Sequence, residues 1–475
     1  MSRRVATNAG WSAVGRLGSQ VLQFAAGLAL ARLLLPADFG LLASVYVVTG
    51  FTVIFFDMGL NGALVHRREL DEDVLSTAFW LNAFGGVVFV ALMAAIGPLV
   101  AAFYGDTRLR WITPLAGLSF ALSLAVVHSA LLQRDLRFKR LAIAEVGTAV
   151  VGNAVTIACA WAGMGPFALV TGPAVQSVLR TVTLWALAPW RPRRFVTVAA
   201  MKSIWSFSGG LLGFTIVNYS GRNADNLLIG RFSGATALGF YNRAYSVMLP
   251  LLQIGNVVGR VMFPALSLIS GDRERVRNAY RRVLRLMTFL TMPILVGMAA
   301  TAPALVKVLW GPGWEPAAPL LQVLCLAGLP QCLFSSEGWL YQSQGRTRLM
   351  FGMGVASSGA FLVGILVGIH WGSFGVAVGI LVVSYVFLPV NLRVACSTIG
   401  LSARVVYRDN AAAFGFAVLM GAVVWAIPLV TGVAPTTQWL LPVQVAVGSV
   451  VYGGLTLAFQ RGLLRELTSL RRFAT

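Results

Sequence analysis

Long apolar segments separated by short polar connections run through the whole sequence. A helix needs roughly 20 mostly apolar residues to cross a bilayer. The pattern predicts fourteen such spans, at 8–32, 40–65, 75–103, 111–132, 141–161, 164–188, 201–230, 237–267, 286–309, 318–341, 349–369, 373–392, 411–431 and 439–460. The connections are short, so no extramembrane domain is expected. The predicted fold class is an all-α membrane protein.

The composition agrees with this prediction. Of the 475 residues, 57% are hydrophobic and only 11% are charged, whereas soluble domains carry roughly 25% charged residues. The net charge of +21 comes from basic residues scattered between apolar runs, with no basic domain, so nucleic acid is not expected as a partner. The N-terminus is not expected to be a cleavable signal, because Arg16 and Gln20 interrupt any short apolar core. No CxxC pair occurs among the cysteines, Cys159, Cys325, Cys332 and Cys396, so they are expected to be reduced core residues rather than a disulfide framework or a metal site. No cofactor is expected.

The distribution of Lys and Arg predicts the orientation. Of the 37 such residues, 27 fall on one side of the predicted spans, and only Arg108, Arg110 and Arg231 fall in the opposite loops. Basic residues accumulate on the cytoplasmic side of membrane proteins. Together with an even number of spans, this predicts a multi-pass protein of the cytoplasmic (inner) membrane with both termini in the cytoplasm.

The sequence contains an internal repeat. LARLLLPADFGLLASVY (30–46) aligns with IGRFSGATALGFYNRAY (229–245) at a shift of 199 residues, and LLQRDLRFKRL (131–141) aligns with LYQSQGRTRLM (340–350) at a shift of 209. The repeat is six spans long, so its two copies share one orientation, as in transporters built from parallel repeats. We therefore predict two six-helix lobes around a central cavity, residues 1–195 and 196–400. Residues 401–475 would form two further helices and a cytoplasmic tail.

Ionisable residues inside spans are the candidates for function, because each one costs roughly 3 kcal/mol on insertion scales. They are Arg16, Asp57, Glu145, Arg180, Arg222, Asp225, Arg243, Arg260 and Glu337. Arginine stays charged and donates a planar fork of hydrogen bonds, which suits phosphate. We predict an anionic substrate that binds Arg222, Asp225, Arg243, Arg260 and Arg16. A structural alternative stays open, in which Arg222 and Asp225, three apart on one helix face, neutralise each other and hold the lobes together. Arg180 and Glu145 lie near cytoplasmic ends, where long side chains extend to the interface.

The positions of the lysines exclude one energy source, ATP hydrolysis by a P-loop in this chain. None of Lys139, Lys202 and Lys307 follows a glycine, so the chain has no P-loop. Transport would be driven by an ion gradient, by the membrane potential or by consumption of substrate on the far side. Candidate proton or cation sites are Asp57, Asp225 and Glu337. The histidines, His66, His128 and His370, show no ligand spacing, and no role is assigned to them.

Several segments resemble the Wzx/WzxC-type polysaccharide flippases of the MOP exporter superfamily. They are GRLGSQVLQFAAGLALARLLLPADFGLLA, LLQRDLRFKRLA, RNADNLLIGRFSGATALGFYNRAY, PALSLISGDRERVRNAYRRVLRL, GPGWEPAAPLLQVLCLAGL and QGRTRL, between about residues 10 and 350. The resemblance implies a MATE-like fold, alternating access, and movement of a polyprenyl-diphosphate-linked oligosaccharide to the outer leaflet for surface polysaccharide biosynthesis. It also implies that lumen arginines receive the diphosphate, with Arg222 and Asp225 the best match. The polymerase and glycosyltransferases of the same pathway are candidate partners, beside membrane lipid.

Two other classes remain as alternatives. A MATE-like drug or cation antiporter would share the fold, but its cavity should favour acidic residues, whereas arginines predominate here. An integral membrane glycosyltransferase or polymerase would usually need a sizeable outer loop, which is missing. The chain is therefore not expected to be an enzyme.

Overall fold

The computed structural model describes residues 2–57, 64, 71–193, 219, 221 and 223–460, with the backbone alone for residues 2–9, 12–13, 16 and 54–57. These parts are helical and contain no strand. The helices are α1 (Ser2–Leu33), α2 (Pro36–Asp57), α3 (Glu72–Tyr104), α4 (Leu109–Ala121), α5 (Val126–Arg134), α6 (Phe138–Trp161), α7 (Ala168–Leu187), α8 (Gly234–Leu252), α9 (Ile254–Leu268), α10 (Arg273–Trp310), α11 (Ala317–Phe334), α12 (Glu337–Ser343), α13 (Thr347–Gly368), α14 (Gly372–Thr398), α15 (Ala403–Thr431) and α16 (Leu440–Phe459).

The chain divides into two compact units, Met1–Gly239 and Phe240–Thr475. In the first unit α3 packs along α4, α6 along α7, and α4 against α7, while α1 packs along α6. In the second unit α10 packs along α11, α13 along α14, and α11 against α14. The order of neighbours is thus the same in both units, as a six-span repeat requires. The second unit also contains α15, which packs along α10, and α16, which packs against α15.

The predicted division at residue 195 lies outside the described residues. The division at residue 400 falls in the connection between α14 and α15.

Eleven segments of the described chain are long and apolar enough to cross a membrane. One of them, Thr347–Thr398, contains two predicted spans, because a short 3₁₀ turn joins α13 to α14. The first predicted span lies within α1, which is not among the eleven, and the seventh span (201–230) falls mostly outside the described residues. Fourteen therefore stays a prediction, while the all-helical multi-pass class is confirmed.

Three predicted spans are interrupted, which the apolar pattern did not indicate. Span 4 is divided into α4 and α5, span 8 into α8 and α9, and span 10 into α11 and α12. At the first break Thr181 donates to the carbonyl of Leu122 (2.7 Å), and Trp185 donates to the carbonyl of Leu124 (3.0 Å). Irregular backbone at membrane depth is tolerated where protein groups satisfy it, and here α7 supplies those groups.

Two helices begin earlier than their predicted spans. α10 starts at Arg273 rather than 286, and α15 starts at Ala403 rather than 411. The extension of α10 is amphipathic, since Val276, Tyr280 and Leu284 recur every fourth residue and are fully buried. The side chain of Asp272 accepts hydrogen bonds from the backbone N–H groups of Glu274 and Arg275 and so caps this helix.

Contacts within the first unit follow the repeat. A Cβ at Gly40 would lie 1.7 Å from the carbonyl oxygen of Ala235, and a Cβ at Gly239 would lie 1.9 Å from that of Pro36. The shift of 199 residues that aligns Gly40 with Gly239 also aligns Pro36 with Ala235. The N-terminal turns of α2 and α8 therefore meet in a reciprocal contact that leaves no room for side chains.

The second pair of repeat segments agrees in detail. After α5, the backbone N–H of Leu136 donates to the Gln133 carbonyl; after α12, that of Gly345 donates to the Gln342 carbonyl, each over 3.1 Å. The shift of 209 residues aligns both donors and both acceptors. Both turn residues adopt positive φ, 55° at Leu136 and 67° at Gly345. The two turns thus have one backbone conformation, which the glycine adopts without strain.

Candidate functional site

The described part of predicted span 7, residues 219, 221 and 223–230, contacts α2 through Tyr219. The Tyr219 hydroxyl donates to the carbonyl oxygens of Tyr46 (2.9 Å) and Val47 (3.2 Å). This contact needs Gly50, since a Cβ there would lie 2.2 Å from the Tyr219 hydroxyl oxygen. The Asn223 amide then donates to the Tyr219 carbonyl at 2.9 Å. The beginning of this helical region is therefore fixed against the middle of α2.

Asp225, the acidic member of the predicted substrate site, is buried and only 7% exposed. One of its carboxylate oxygens accepts a hydrogen bond of 2.8 Å from the backbone N–H of Asn226. Its predicted neighbour Arg222 lies outside the described residues. The burial of Asp225 agrees with a position inside a span, and its role in binding stays a prediction.

The other predicted binding arginines differ in exposure. Arg243 is half-buried on α8. Arg260 is exposed on α9. The side chains of Arg16 and of the candidate ion site Asp57 lie outside the described part of the chain.

Arg180 and Glu145 form an ion pair between α7 and α6, with 3.8 Å between Nη2 and Oε1. Their side chains are 40% and 37% exposed. They therefore contact each other, while their predicted position near the membrane boundary stays a prediction. Each residue thus has a partner of opposite charge, and neither was predicted to bind the substrate.

Glu337 is the buried carboxyl of the second unit, 7% exposed at the start of α12. It lies beside a hydrophobic cluster that includes Tyr280, Leu340 and Cys396. Its Oε1 atom accepts no hydrogen bond from any residue that the structure describes. The structure thus places this candidate ion site in an apolar environment.

An ion-pair cluster between α10 and α15 was missed by sequence reasoning. Arg281 donates to both carboxylate oxygens of Asp409, from Nε at 2.6 Å and from Nη2 at 3.1 Å. Arg285 Nη2 lies 3.6 Å from the same carboxylate, and the Thr288 hydroxyl donates to the amide oxygen of Asn410. Asp409 was assigned to a connection, because the predicted span began after it. The cluster anchors α15 on α10.

The turn between α3 and α4 carries a second charged group. The Arg108 guanidinium donates to Asp106 at 2.8 Å and lies 3.8 Å from the buried Asp38. The hydrogen bond from Arg108 lowers the pKa of the Asp106 carboxyl below its ordinary value. Asp38 itself accepts a hydrogen bond from the backbone N–H of Leu35 at 3.0 Å. The Arg108 guanidinium therefore interacts with two carboxylates.

A cavity of about 480 Å³ lies between α10, α15 and α16. Its lining is mainly apolar and includes Met298, Val424 and Gln444. None of the predicted site residues lines it.

Comparison with known proteins identifies the family. Residues 29–319, more than half of the chain, match the family described as polysaccharide biosynthesis protein. The chain belongs to this family. The resemblance of the sequence to polysaccharide flippases is thereby confirmed at the family level.

Two relatives and two solved structures are similar to this family member. The teichuronic acid biosynthesis protein TuaB of Bacillus subtilis is 26% identical over 74% of each chain. The succinoglycan biosynthesis transport protein ExoT of Rhizobium meliloti is 26% identical over 99% of this chain and 96% of its own.

Among structures, the lipid II flippase MurJ in an inward closed conformation has a TM-score of 0.74 at 13% identity, covering 95% of this chain and 99% of its own. An inward-facing MATE-family multidrug transporter of the MOP superfamily has a TM-score of 0.60 at 12% identity, covering 81% and 96%. These likenesses establish a shared fold.

Proposed function

We propose that this protein is a flippase that moves a polyprenyl-diphosphate-linked oligosaccharide from the cytoplasmic to the outer leaflet for surface polysaccharide biosynthesis. Membership of the polysaccharide biosynthesis family over residues 29–319 is the observation that carries the proposal. The similarity to ExoT, a succinoglycan biosynthesis transport protein, and to MurJ, a lipid II flippase, supports it. Both termini would lie in the cytoplasm, with the protein in the inner membrane.

Charge supports an anionic substrate over a cationic one. Arg180 is paired with Glu145, and Glu337 is buried beside a hydrophobic cluster. By sequence, the other ionisable residues of the predicted spans are four arginines, Arg16, Arg222, Arg243 and Arg260, and two acids, Asp57 and Asp225. This excess of positive charge suits a diphosphate, which guanidinium groups bind through paired hydrogen bonds. A MATE-like antiporter of organic cations would need the opposite balance.

In this proposal, Arg222 contacts the lipid diphosphate and does more than pair with the buried Asp225. Arg222→Ala should abolish transport while the protein still inserts, because the guanidinium that receives the phosphate is lost. Arg222→Lys should retain part of it, because the charge remains without the planar fork. The measurement is flipping of the lipid-linked oligosaccharide, with the amount of inserted protein determined alongside.

The Arg222→Ala, Asp225→Ala double variant separates binding from structure. If the pair were only structural, removing both charges would restore transport, since a partnerless buried charge causes most of the damage in such pairs. We expect the double variant to remain inactive. Arg180→Ala, which removes an intramembrane arginine outside the proposed site, serves as the control and should keep transport. Near-normal transport by the double variant would reject the proposed role of Arg222.

A further inference from the structure

The apolar cavity between α10, α15 and α16, called the α16 groove below, follows one face of α16. Its lining residues on this helix recur every three or four positions from Leu441 to Gly453, which is the spacing of a single helix face. Its lining on α10 runs from Pro293 to Leu305. At 1.5 Å per residue, each of the two stretches is about 18 Å long. The cavity is therefore elongated along the helix axes.

The α16 groove opens toward the lipid and has the depth of one leaflet. Ile294 on α10 and Val445 on α16, which line it, are apolar and 40% and 56% exposed. One end of the groove lies at Leu441, beside the exposed Trp439 that precedes α16, and tryptophan is enriched at the membrane interface. The other end lies about 18 Å deeper, near the middle of a hydrocarbon core roughly 30 Å thick. On the predicted topology this leaflet is the outer one.

Most polar groups in the lining have structural partners. The Tyr452 hydroxyl donates at 3.0 Å to the carbonyl of Phe289, which lacks its helical donor because Pro293 has no N–H. The hydroxyls of Thr301 and Ser449 each donate at 2.8 Å to the carbonyl four residues earlier in the same helix. These three groups are satisfied by the protein itself.

Gln444 has one polar atom without such a partner. Its Nε2 donates at 3.2 Å to the carbonyl of Val424, which Pro428 leaves without a helical donor. Its Oε1 has no hydrogen-bond partner among the described residues, although Gln444 is only 2% exposed. A buried acceptor is costly unless a donor reaches it. The α16 groove therefore presents one free acceptor in an apolar lining, about 6 Å from the start of α16.

We propose that the α16 groove binds one molecule of phosphatidylethanolamine, with an acyl chain along the groove and the ammonium group donating to Oε1 of Gln444. An acyl chain is as long as a leaflet is deep, because two leaflets make up the hydrocarbon core. The headgroup then lies at the boundary end of the groove, which is the end that holds Gln444. A polyprenyl chain is longer than one leaflet is deep and carries no donor. The site holds none of the arginines proposed for the diphosphate and does not depend on the flippase function.

The first test compares two lipids on the wild-type chain. The full-length protein is released from nanodiscs that contain phosphatidylethanolamine and phosphatidylcholine in equal amounts with identical acyl chains, and native mass spectrometry counts the retained lipids. Both headgroups carry the same charges, but only ethanolamine has N–H groups. We expect one retained phosphatidylethanolamine, preferred about tenfold, because a hydrogen bond from a charged donor contributes at least that factor. Phosphatidyl-N,N-dimethylethanolamine keeps one N–H and should be retained equally well.

Three results from the wild type would overturn the proposal. They are the absence of a retained lipid, equal retention of phosphatidylethanolamine and phosphatidylcholine, and displacement of phosphatidylethanolamine by an equal amount of polyprenyl phosphate. The last result would assign the groove to a polyprenyl chain instead. None of these measurements requires transport, so they are independent of whether the protein flips a lipid-linked oligosaccharide.

Two adjacent glycines of α16 locate the bound chain. A Cβ at Gly453 or at Gly454 would have no neighbour within 4 Å, so the fold has room for a side chain at either position. Only Gly453 lines the groove. Gly453→Leu should therefore remove the retained lipid by filling its place, whereas Gly454→Leu should keep it. Retention by Gly453→Leu, or equal loss in both variants, would contradict the proposed position of the chain.

Gln444→Leu tests the acceptor. This variant should still retain one lipid, but the ratio of phosphatidylethanolamine to phosphatidylcholine should fall from about ten to about one. Tyr452→Phe is the matched control, because it also removes a donor to a proline-freed carbonyl but leaves Oε1 of Gln444 in place. It should keep the preference. An unchanged ratio in Gln444→Leu, or the same loss in Tyr452→Phe, would overturn the role of Gln444.

Discussion

At the scale of single residues, the main finding is that the acidic side chains of the membrane helices differ in their partners. The Asp409 carboxylate forms ion pairs with two arginines of α10, and the Glu145 carboxylate forms an ion pair with one arginine of α7. Glu337 is buried in an apolar environment. The sequence predicts that Glu337 and Asp225 lie inside spans, and both are buried. It did not predict the Arg281–Asp409 pair, because the partners are 128 residues apart and no local pattern connects them.

A residue-scale prediction concerns the turn after α5. Leu136 has φ of 55° and is 52% exposed, so its side chain packs little while its backbone is strained. Leu136→Gly should stabilise the protein by about 0.5–1 kcal/mol, the left-handed penalty less the extra chain entropy of glycine. Thermal or denaturant unfolding in detergent measures the change.

The reverse substitution in the other repeat is the control for this turn. Gly345 has the same conformation, with φ of 67°, so Gly345→Leu should destabilise the protein by about 1 kcal/mol. Equal stability of both variants and the wild type would show that the two turns carry no strain.

At the scale of helices, hydropathy predicted where spans occur but not where they break. The break in span 4 is stabilised by Thr181 and Trp185, which come from α7, about 60 residues later. The break in span 10 is formed by the serine pair Ser335–Ser336, whose hydroxyls donate to carbonyls three residues earlier. That local signal is readable once the structure is known, since serine competes for backbone groups. Long-range partners leave no comparable trace in the sequence.

An element-scale prediction concerns the crossing of α13 and α14. A Cβ at Gly368 would lie 2.3 Å from the Gly375 carbonyl oxygen, whereas a Cβ at Gly359 on the same helix would have no neighbour within 4 Å. Small residues let membrane helices approach closely. Gly368→Ala should therefore lower the free energy of unfolding by about 1–3 kcal/mol through overpacking.

Gly359→Ala is the matched control, because it adds the same methyl group to an open face of α13. It should leave stability unchanged or raise it slightly, since alanine is the better helix former. Comparable losses in the two alanine variants would mean that the loss comes from the helix backbone and not from the crossing.

At the scale of the whole molecule, the repeat was the most informative feature of the sequence. It aligned Gly40 with Gly239 and Leu136 with Gly345, and the structure shows a reciprocal contact at the first pair and one turn conformation at the second. The order of helix neighbours also recurs in the two units. The predicted lobe boundary at residue 195 falls where the chain is not described, so that part of the architecture stays a prediction.

The predicted topology follows from the asymmetry of basic residues and can be tested directly. A reporter fused after Arg472 should be cytoplasmic, and one inserted in the α15–α16 connection, between Thr431 and Leu440, should be extracytoplasmic. The two fusions control each other, because inversion of the whole chain would exchange their signals. An extracytoplasmic signal from the fusion after Arg472 would contradict the orientation.

The central claim is that the protein moves a lipid-linked oligosaccharide across the bilayer. The most direct measurement reconstitutes the purified wild-type chain in proteoliposomes with a polyprenyl-diphosphate-linked oligosaccharide and follows the fraction of saccharide that becomes accessible to an added hydrolase. The account predicts that this fraction rises with wild-type protein and stays at the level of empty liposomes with the inserted Arg222→Ala variant. No increase with the wild type, accompanied by gradient-driven export of an organic cation from the same vesicles, would contradict the claim.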